Sequence, residues 1–420
     1  MNEPPAPHLT VTNALLDGER VGVRCEGGTI DALGPEVTPA PGDEAIDAGG
    51  APLLPPLLNG HTHAAMTLFR GSGGDLPLMR WLRERVWPVE AELEPEDVYW
   101  GTRLACLEMI RGGTTRFWDM YWHPAASARA VSDAGLRATI GGPLLDADGG
   151  TAEMQETALR NLAELDESGS RIERALSPHA IYTVSEELLR WTAETATEHG
   201  AAIQIHLSET EGEVADCIAA HGERPAAYLD RLGALGPRTV LAHGVWLDDA
   251  ELELIAARGS TVVTNPVANM KLAVGAAFSY PTARRAGVSV GLGTDGAGSN
   301  DSLDLLADLK AFALLQKHAA ADPAAISAAE AWDIATGARA PLLGATPLEP
   351  GAPADFVLLR PDAPELSFGD LRESLVYAAN GAVVDTTVVA GRVLMRGGEV
   401  EGTAEIVAHA AERARRLGIG

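Results

Sequence analysis

The feature that most limits the fold of this chain is an alternation through its middle. Short apolar runs alternate with longer helical stretches. Candidate strands lie at Leu53–Leu58, Thr114–Trp118, Ala138–Leu144, Ile172–Leu176, Ala202–Leu207, Thr239–Ala242, Thr261–Thr264 and Val288–Leu292. Helical stretches between and after them include Ser185–His199, Asp248–Arg258 and Leu303–Ala319. Asp248 and Glu251 have the spacing of a capping box, in which two side chains satisfy free amides at a helix start. Parallel strands need long crossover connections, and helices supply them. Eight such units over roughly 290 residues predict a closed (β/α)8 TIM-like barrel of ordinary size, with a doubly wound open sheet as runner-up.

The two ends of the chain read differently. Leu9–Asn13 and Val21–Cys25 alternate apolar and polar residues, and Gly27-Gly28 makes a turn. Asp355–Leu359, Thr386–Ala390 and Arg392–Met395 are further short strand candidates. Both ends are expected to meet in one small β-sandwich domain, residues 1–54 with 346–420, leaving 55–345 for the catalytic barrel. Thr403 to Leu417 reads as a surface helix rich in Ala, Glu and Arg.

Composition narrows the partners. Of 420 residues, 46% are hydrophobic and 22% charged, which suffices for a large buried core. Acids outnumber bases 59 to 32, giving a net charge of −27. Such a field repels nucleic-acid phosphates and anionic membranes, so neither is an expected partner. No apolar run is long enough to span a bilayer, and Met1 to His8 lacks the basic start and apolar core of a secretory leader. Three cysteines, Cys25, Cys106 and Cys217, form neither a C-x-x-C site nor a disulfide framework. The expectation is a cytoplasmic protein. A homo-oligomer would follow the general habit of soluble assemblies, although no sequence stripe marks an interface.

Polar residues cluster where the strand candidates end. The first runs into Asn59-Gly-His-Thr-His63, the fourth into Ser177-Pro-His179, the fifth into His206-Leu-Ser-Glu209, the sixth into His243 and the eighth into Asp295. In a barrel all these positions converge on the C-terminal mouth, where active sites lie. His61 and His63 are two apart, so in a strand both imidazoles share a face. A histidine pair alone is weak evidence, since it could simply close a strand. With His206 and Asp295 it completes a normal zinc donor set, and the convergence makes a metal site the better reading. Glu209 could be one of several surface acids at a helix start, with Glu211 and Glu213 following. Beside a metal-bound water it is instead a candidate general acid/base. His243 could merely pair with a backbone carbonyl; at the shared mouth it would steady the water or a developing oxyanion.

Two familiar patterns fail on context. Gly291-Leu-Gly-Thr-Asp-Gly296 matches the dinucleotide fingerprint, but it lies late in the chain and opens no helix directly. Gly287-Val-Ser-Val-Gly291 matches the serine-hydrolase elbow, yet Ser289 sits inside a strand candidate rather than at a sharp turn.

These motifs resemble the amidohydrolase superfamily and, within it, the nucleobase and nucleoside deaminases, a branch that also holds triazine hydrolases. Met66-Thr-Leu-Phe-Arg70, Asp75-Leu-Pro-Leu-Met-Arg-Trp81, Asn265-Pro-Val-Ala-Asn269 and Gly293-Thr-Asp-Gly-Ala-Gly-Ser299 extend the likeness along nearly the whole chain. The resemblance implies that His61, His63, His206 and Asp295 hold one divalent metal, with zinc expected. Relatives with two metals use a lysine after strand four; the lysines here, Lys271, Lys310 and Lys317, are elsewhere, and His179 occupies that region. It further implies hydrolytic loss of ammonia from an adenine ring carbon by a metal-activated water. Glu209 would carry the proton, and His243 and Asp295 would steady the water.

The chain is most similar to S-adenosylhomocysteine and 5′-methylthioadenosine deaminases. That likeness places Trp81 and Glu90 beside the substrate, Glu90 accepting from ribose hydroxyls, with His179 and Ser299 lining the base pocket. Trp81 could otherwise be core, and Glu90 a surface acid. Relatives that bind the homocysteine carboxylate use arginines after strand three. Here Thr139 to Gly150 contains none, and Asp146 and Asp148 would oppose a carboxylate. The expected substrate is therefore an adenine nucleoside with an uncharged 5′ group, such as methylthioadenosine or adenosine, ahead of S-adenosylhomocysteine. The alternatives are another hydrolase of the superfamily, acting on guanine, a pterin or a triazine, and a non-catalytic barrel scaffold. Leu54-Pro-Pro56 departs from the Pro-Gly that relatives carry, with no functional reading.

Overall fold

A computed structural model describes residues 8–72, 75–147 and 149–419. Met1 to Pro7, part of the stretch read above for a leader, lie outside the described residues. The N-terminal segment forms β1 (Leu9–Leu16), β2 (Glu19–Glu26), β3 (Thr29–Gly34) and β4 (Glu44–Asp47), in a sheet ordered β3-β2-β1-β4. A second small sheet joins β5 (Leu53–Leu54) to the C-terminal strands β15 (Phe356–Leu359), β16 (Val384–Val389) and β17 (Arg392–Met395). The two sheets share one apolar core that includes Val11, Val23, Leu53, Phe356 and Val388.

Between them lies the barrel. Its strands are β6 (Leu57–Thr62), β7 (Thr114–Met120), β8 (Arg137–Gly141), β10 (Ile172–Pro178), β11 (Ala202–Leu207), β12 (Thr239–His243), β13 (Thr261–Thr264) and β14 (Ser289–Leu292), with the short β9 (Pro143–Leu144) attached to β10. Every pairing along this path is parallel and follows chain order. The (β/α)8 expectation is met, and the open sheet is not. First and last strands close through side chains as well as backbone. Asn59 Nδ2 donates to Thr294 Oγ1 at 2.7 Å, Thr294 N–H donates to Asn59 Oδ1 at 3.1 Å, and Asp295 N–H donates to His61 O at 3.0 Å.

Two expected strands are divided. Leu53–Leu58 is not one strand: β5 pairs antiparallel with β15, while β6 pairs parallel with β7. Proline lacks the N–H a ladder needs, so Pro55-Pro56 marks the point where the chain leaves one sheet for the other. Ala138–Leu144 is likewise split at Gly142 into β8 and β9. The helix readings hold with their caps: Ser185 and Asp248 accept from the amides of Leu188 and Glu251, and Asp248 with Glu251 forms the full capping box. The last helix, Thr403–Arg416, buries Ile406, Ala410 and Ala414, and Arg416 pairs with the fully buried Asp97.

A layer of Leu58, Trp118, Ala175, Ala202, Val240, Val263 and Leu343 plugs the barrel interior. That layer is what makes the barrel a solid platform rather than a pore. The polar residues singled out in the sequence lie above it, toward the strands' C-terminal ends.

Candidate active site

His61 reaches the interior through a break in alternation. Leu58 belongs to the interior layer, and a Cβ on Gly60 would meet Val263 and Leu343 at 2.9 and 3.0 Å, so regular pleating would turn His61 outward. The register shifts between Asn59 and Thr62, and the His61 ring turns inward, 4.9 Å from that of His206. His206 arrives on the regular pleat of β11, with Gln204 two residues earlier on the same face. Asp295 follows β14 with φ of +62°, an uncommon conformation for a non-glycine residue. Ser208 (+50°) and His243 (+73°) share it at the ends of β11 and β12. Strain of this kind concentrates at functional sites.

Ligand atoms of His61, His63, His206 and Asp295 all lie within 4.8 Å of one another. Asp295 Oδ1 is 3.2 Å from His63 Nε2 and 3.4 Å from His61 Nε2, and His206 Nε2 is 3.3 Å from His63 Nε2. Donors about 2.0–2.1 Å from a central zinc ion, set at tetrahedral corners, would stand about 3.3 Å apart. His61 Nε2 and Asp295 Oδ1 are buried without a hydrogen-bond partner. Orphaned donors of this kind are costly unless something satisfies them. Burial works against charge on His63, but Asp295 outweighs it and carries the ring up to about 9. Three imidazoles and one carboxylate at this spacing are a donor set that fits a metal ion.

The far side of each ligand is held. His63 Nδ1 is 2.6 Å from Met120 O and His206 Nδ1 is 2.7 Å from His179 O, so both rings donate through Nδ1 and keep Nε2 for the metal. His61 Nδ1 is 2.7 Å from the Gln204 side-chain amide. With Nε2 given to a metal, Nδ1 carries the proton and the amide must turn its oxygen toward it. Ser299 Oγ donates to Asp295 Oδ2 at 2.5 Å, which leaves Oδ1 facing the histidines.

A cavity with about 710 Å³ of empty volume opens over this cluster. His63, His206 and Asp295 reach its floor, while His61 is sealed beneath. Trp81, Glu90, His179, Glu209, His243 and Ser299 all line it, so the structure brings the expected catalytic and substrate-binding residues to the metal cluster. Glu209 is 5% exposed, and burial raises its carboxyl above the usual carboxylate range. Its Oε1 lies 3.9 Å from His243 Nδ1, which donates to Asn269 Oδ1 at 2.8 Å. Burial also raises Glu90, with Trp122 and Tyr121 acting in the opposite sense. Trp81 Nε1 is buried without a partner. The cavity continues outward past Trp87, Trp122, Leu145, Ala147 and Thr183. Among the described residues lining either part there is no lysine or arginine. Asp146 lines the outer part, but Thr151 and Ser185 occupy both its oxygens. Asp148 lies outside the described residues.

Gln204, Asn269 and the Tyr121-Trp122 wall were missed in the sequence. Gln204 shares the parity of His206 in an otherwise apolar strand, a signal that could have found it. Asn269 follows Asn265 by one helical turn inside a motif already noted. Tyr121 and Trp122 carry no local signal. The dinucleotide-like glycines have another use: a Cβ on Gly293 would sit 2.3 Å from Asn265 Oδ1 and 2.9 Å from His61 O, so only glycine fits.

A parallel barrel with a His3Asp centre at its C-terminal mouth defines a metal-dependent barrel enzyme. Residues 53–394 match the amidohydrolase family model, and the chain belongs to that family. A protein of Methanoregula boonei named 5′-deoxyadenosine deaminase is 47% identical over 400 residues, covering 93% of this chain and 90% of its own. One of Archaeoglobus fulgidus, named 5-methylthioadenosine/S-adenosylhomocysteine deaminase 1, is 40% identical, covering 94% of each. The crystal structure of an adenosine deaminase from Xanthomonas campestris with bound zinc superposes with a TM-score of 0.92 at 34% identity, over 99% of this chain and all of the other. An atrazine chlorohydrolase from Arthrobacter aurescens (TM-score 0.88, 22% identity, 97% of this chain and 100% of the other) shares the fold.

Proposed function

We propose that this chain is a zinc-dependent hydrolytic deaminase of adenine nucleosides carrying an uncharged 5′ group, 5′-deoxyadenosine and methylthioadenosine ahead of S-adenosylhomocysteine. The observation that carries the reading is the placement of Glu209 and His243 beside the His3Asp cluster, under a cavity whose described lining holds Glu90 but no lysine or arginine. His61, His63, His206 and Asp295 would hold the ion, whose Lewis acidity lowers the pKa of a water from about 15.7 to about 7.

The protein's own groups do the rest. Glu209 takes the proton from the attacking water and delivers it to the adenine ring nitrogen. Asn269 holds His243 through Nδ1, leaving Nε2 to steady the water. Ser299 orients Asp295, and Trp81 packs on the nucleoside with an indole N–H to offer. Glu90 accepts from the ribose hydroxyls, a role that a free base such as guanine would leave empty. Apolar walls beyond Trp87 and Trp122 suit a methyl or methylthio group. A homocysteine carboxylate there would lack a charge-assisted partner.

The test is ammonia release by zinc-loaded protein from 5′-deoxyadenosine, methylthioadenosine, adenosine, S-adenosylhomocysteine, guanine and a triazine, with Glu209→Gln beside the parent. Turnover of the uncharged nucleosides should fall about 10²–10⁴-fold in the variant while zinc is retained. Full activity in Glu209→Gln would remove its role, and a higher kcat/KM for S-adenosylhomocysteine would overturn the substrate preference.

A further inference from the structure

Glu213 is a buried carboxylate that the chemistry above does not use. It lies in the first turn of the helix Glu211–His221 and is 6% exposed. One oxygen accepts from the N–H of Ser208 and the other from the N–H of Glu209, both at 2.8 Å. The opposite edges of the same two peptides are also held: Leu207 O accepts from Gly244 N–H at 3.0 Å, and Ser208 O from Trp246 N–H at 2.8 Å. Both peptide planes flanking the Ser208 α-carbon are therefore clamped, on one side by Glu213 and on the other by the loop after His243.

The clamp sits where the backbone is least content. Ser208 has φ of +50°, a left-handed conformation that a residue with a Cβ resists. Its hydroxyl is buried without a partner, so its side chain does not hold the turn. Two converging amides taken by a carboxylate do. Relaxing Ser208 would swing the α-carbon of Glu209 and carry its side chain away from His243.

We propose that Glu213 is a positioning residue for proton transfer, holding Ser208 in its left-handed turn so that Glu209 faces His243 and the His3Asp cluster. The inference rests on the assignment of Glu209 as the proton carrier. It places the demand on an acid that looks, in the sequence, like one more surface glutamate at a helix start.

The experiment is steady-state deamination of 5′-deoxyadenosine by the zinc-loaded parent, Glu213→Gln, Ser208→Gly/Glu213→Gln and Glu209→Gln. Glutamine keeps the shape but offers one acceptor, and its NH2 confronts the second amide. The expected result for Glu213→Gln is a fall in kcat of about 10–100-fold, as a displaced catalytic group gives. KM should stay within about threefold and zinc content should not change. Glycine tolerates positive φ without strain, so the double variant should recover at least threefold in kcat and also tests the idea if Glu213→Gln alone folds poorly. A kcat for Glu213→Gln within twofold of the parent overturns the proposal, as does loss of zinc or a double variant no faster than the single one. If Glu209→Gln is inactive while Glu213→Gln is not, only the role of Glu213 fails. If Glu209→Gln is fully active, the underlying assignment fails.

Discussion

Asn59→Ala should damage the metal centre although Asn59 touches no metal. Its side chain donates to Thr294 Oγ1 and accepts from Thr294 N–H, and both residues are fully buried. Each such bond contributes about 0.5–1.5 kcal/mol net, and a buried N–H left without an acceptor costs about 1–3 kcal/mol. Losing the first bond and orphaning the N–H of the second therefore removes about 1.5–4.5 kcal/mol of stability. The loss falls on the seam between β6 and β14, where His61 O accepts from the N–H of Asp295. Loosening that seam separates two of the four ligands, and losing an outer partner of a metal site typically costs 10–100-fold in metal affinity. Urea unfolding at fixed free zinc, repeated after chelation, measures the first number, and zinc titration against a competing chelator measures the second. A stability change under 0.5 kcal/mol with unchanged zinc affinity would refute the claim that the Asn59 side chain closes the barrel.

Two further outcomes follow from the same geometry. Glu90→Ala should raise KM for adenine nucleosides about 10–100-fold, the worth of a hydrogen bond to a charged group, with kcat and zinc content little changed; an unchanged KM would dismiss the ribose contact. Asp43 is held by the Thr10 hydroxyl, the Ala40 N–H and Arg24, which push its carboxyl down to about 2. Its contribution to stability is thus complete above about pH 4 and lost as pH falls through about 2. Thermal unfolding with chelator present should show the parent losing more Tm than Asp43→Asn between pH 4.5 and 2.5, and equal losses would contradict the assignment.

The chemistry of this protein was legible in its sequence because it rests on residue types at strand ends. Histidines two apart after an apolar run, His206 with Glu209 three further on, and Asp295 after the last barrel strand are local patterns. Parallel-barrel geometry gathers strand ends whatever the intervening loops do. Helix starts were equally readable, since Ser185 and Asp248 cap through their own side chains. The limits of that reading are also local. Leu53–Leu58 looked like one strand because hydrophobicity does not say which sheet a run joins; only pairing with β15 on one side of Pro55-Pro56 and β7 on the other decides that.

What tertiary structure alone decided are the facts that need two distant segments at once. The register shift that turns His61 inward depends on how β6 meets β7. The tryptophan wall of Trp81, Trp87 and Trp122 depends on packing between the 78–90 segment and the end of β7, and the tie between Asn59 and Thr294 spans the barrel closure. Glu213 differs from its neighbour Glu211 only in pointing inward, toward two amides that lie behind it in the chain. Sequence spacing fixes which groups a strand or helix can present. Whether a presented group meets an ion, a substrate or a strained peptide is settled by packing, because the contact energies involved are short-ranged and arise only once the barrel has closed.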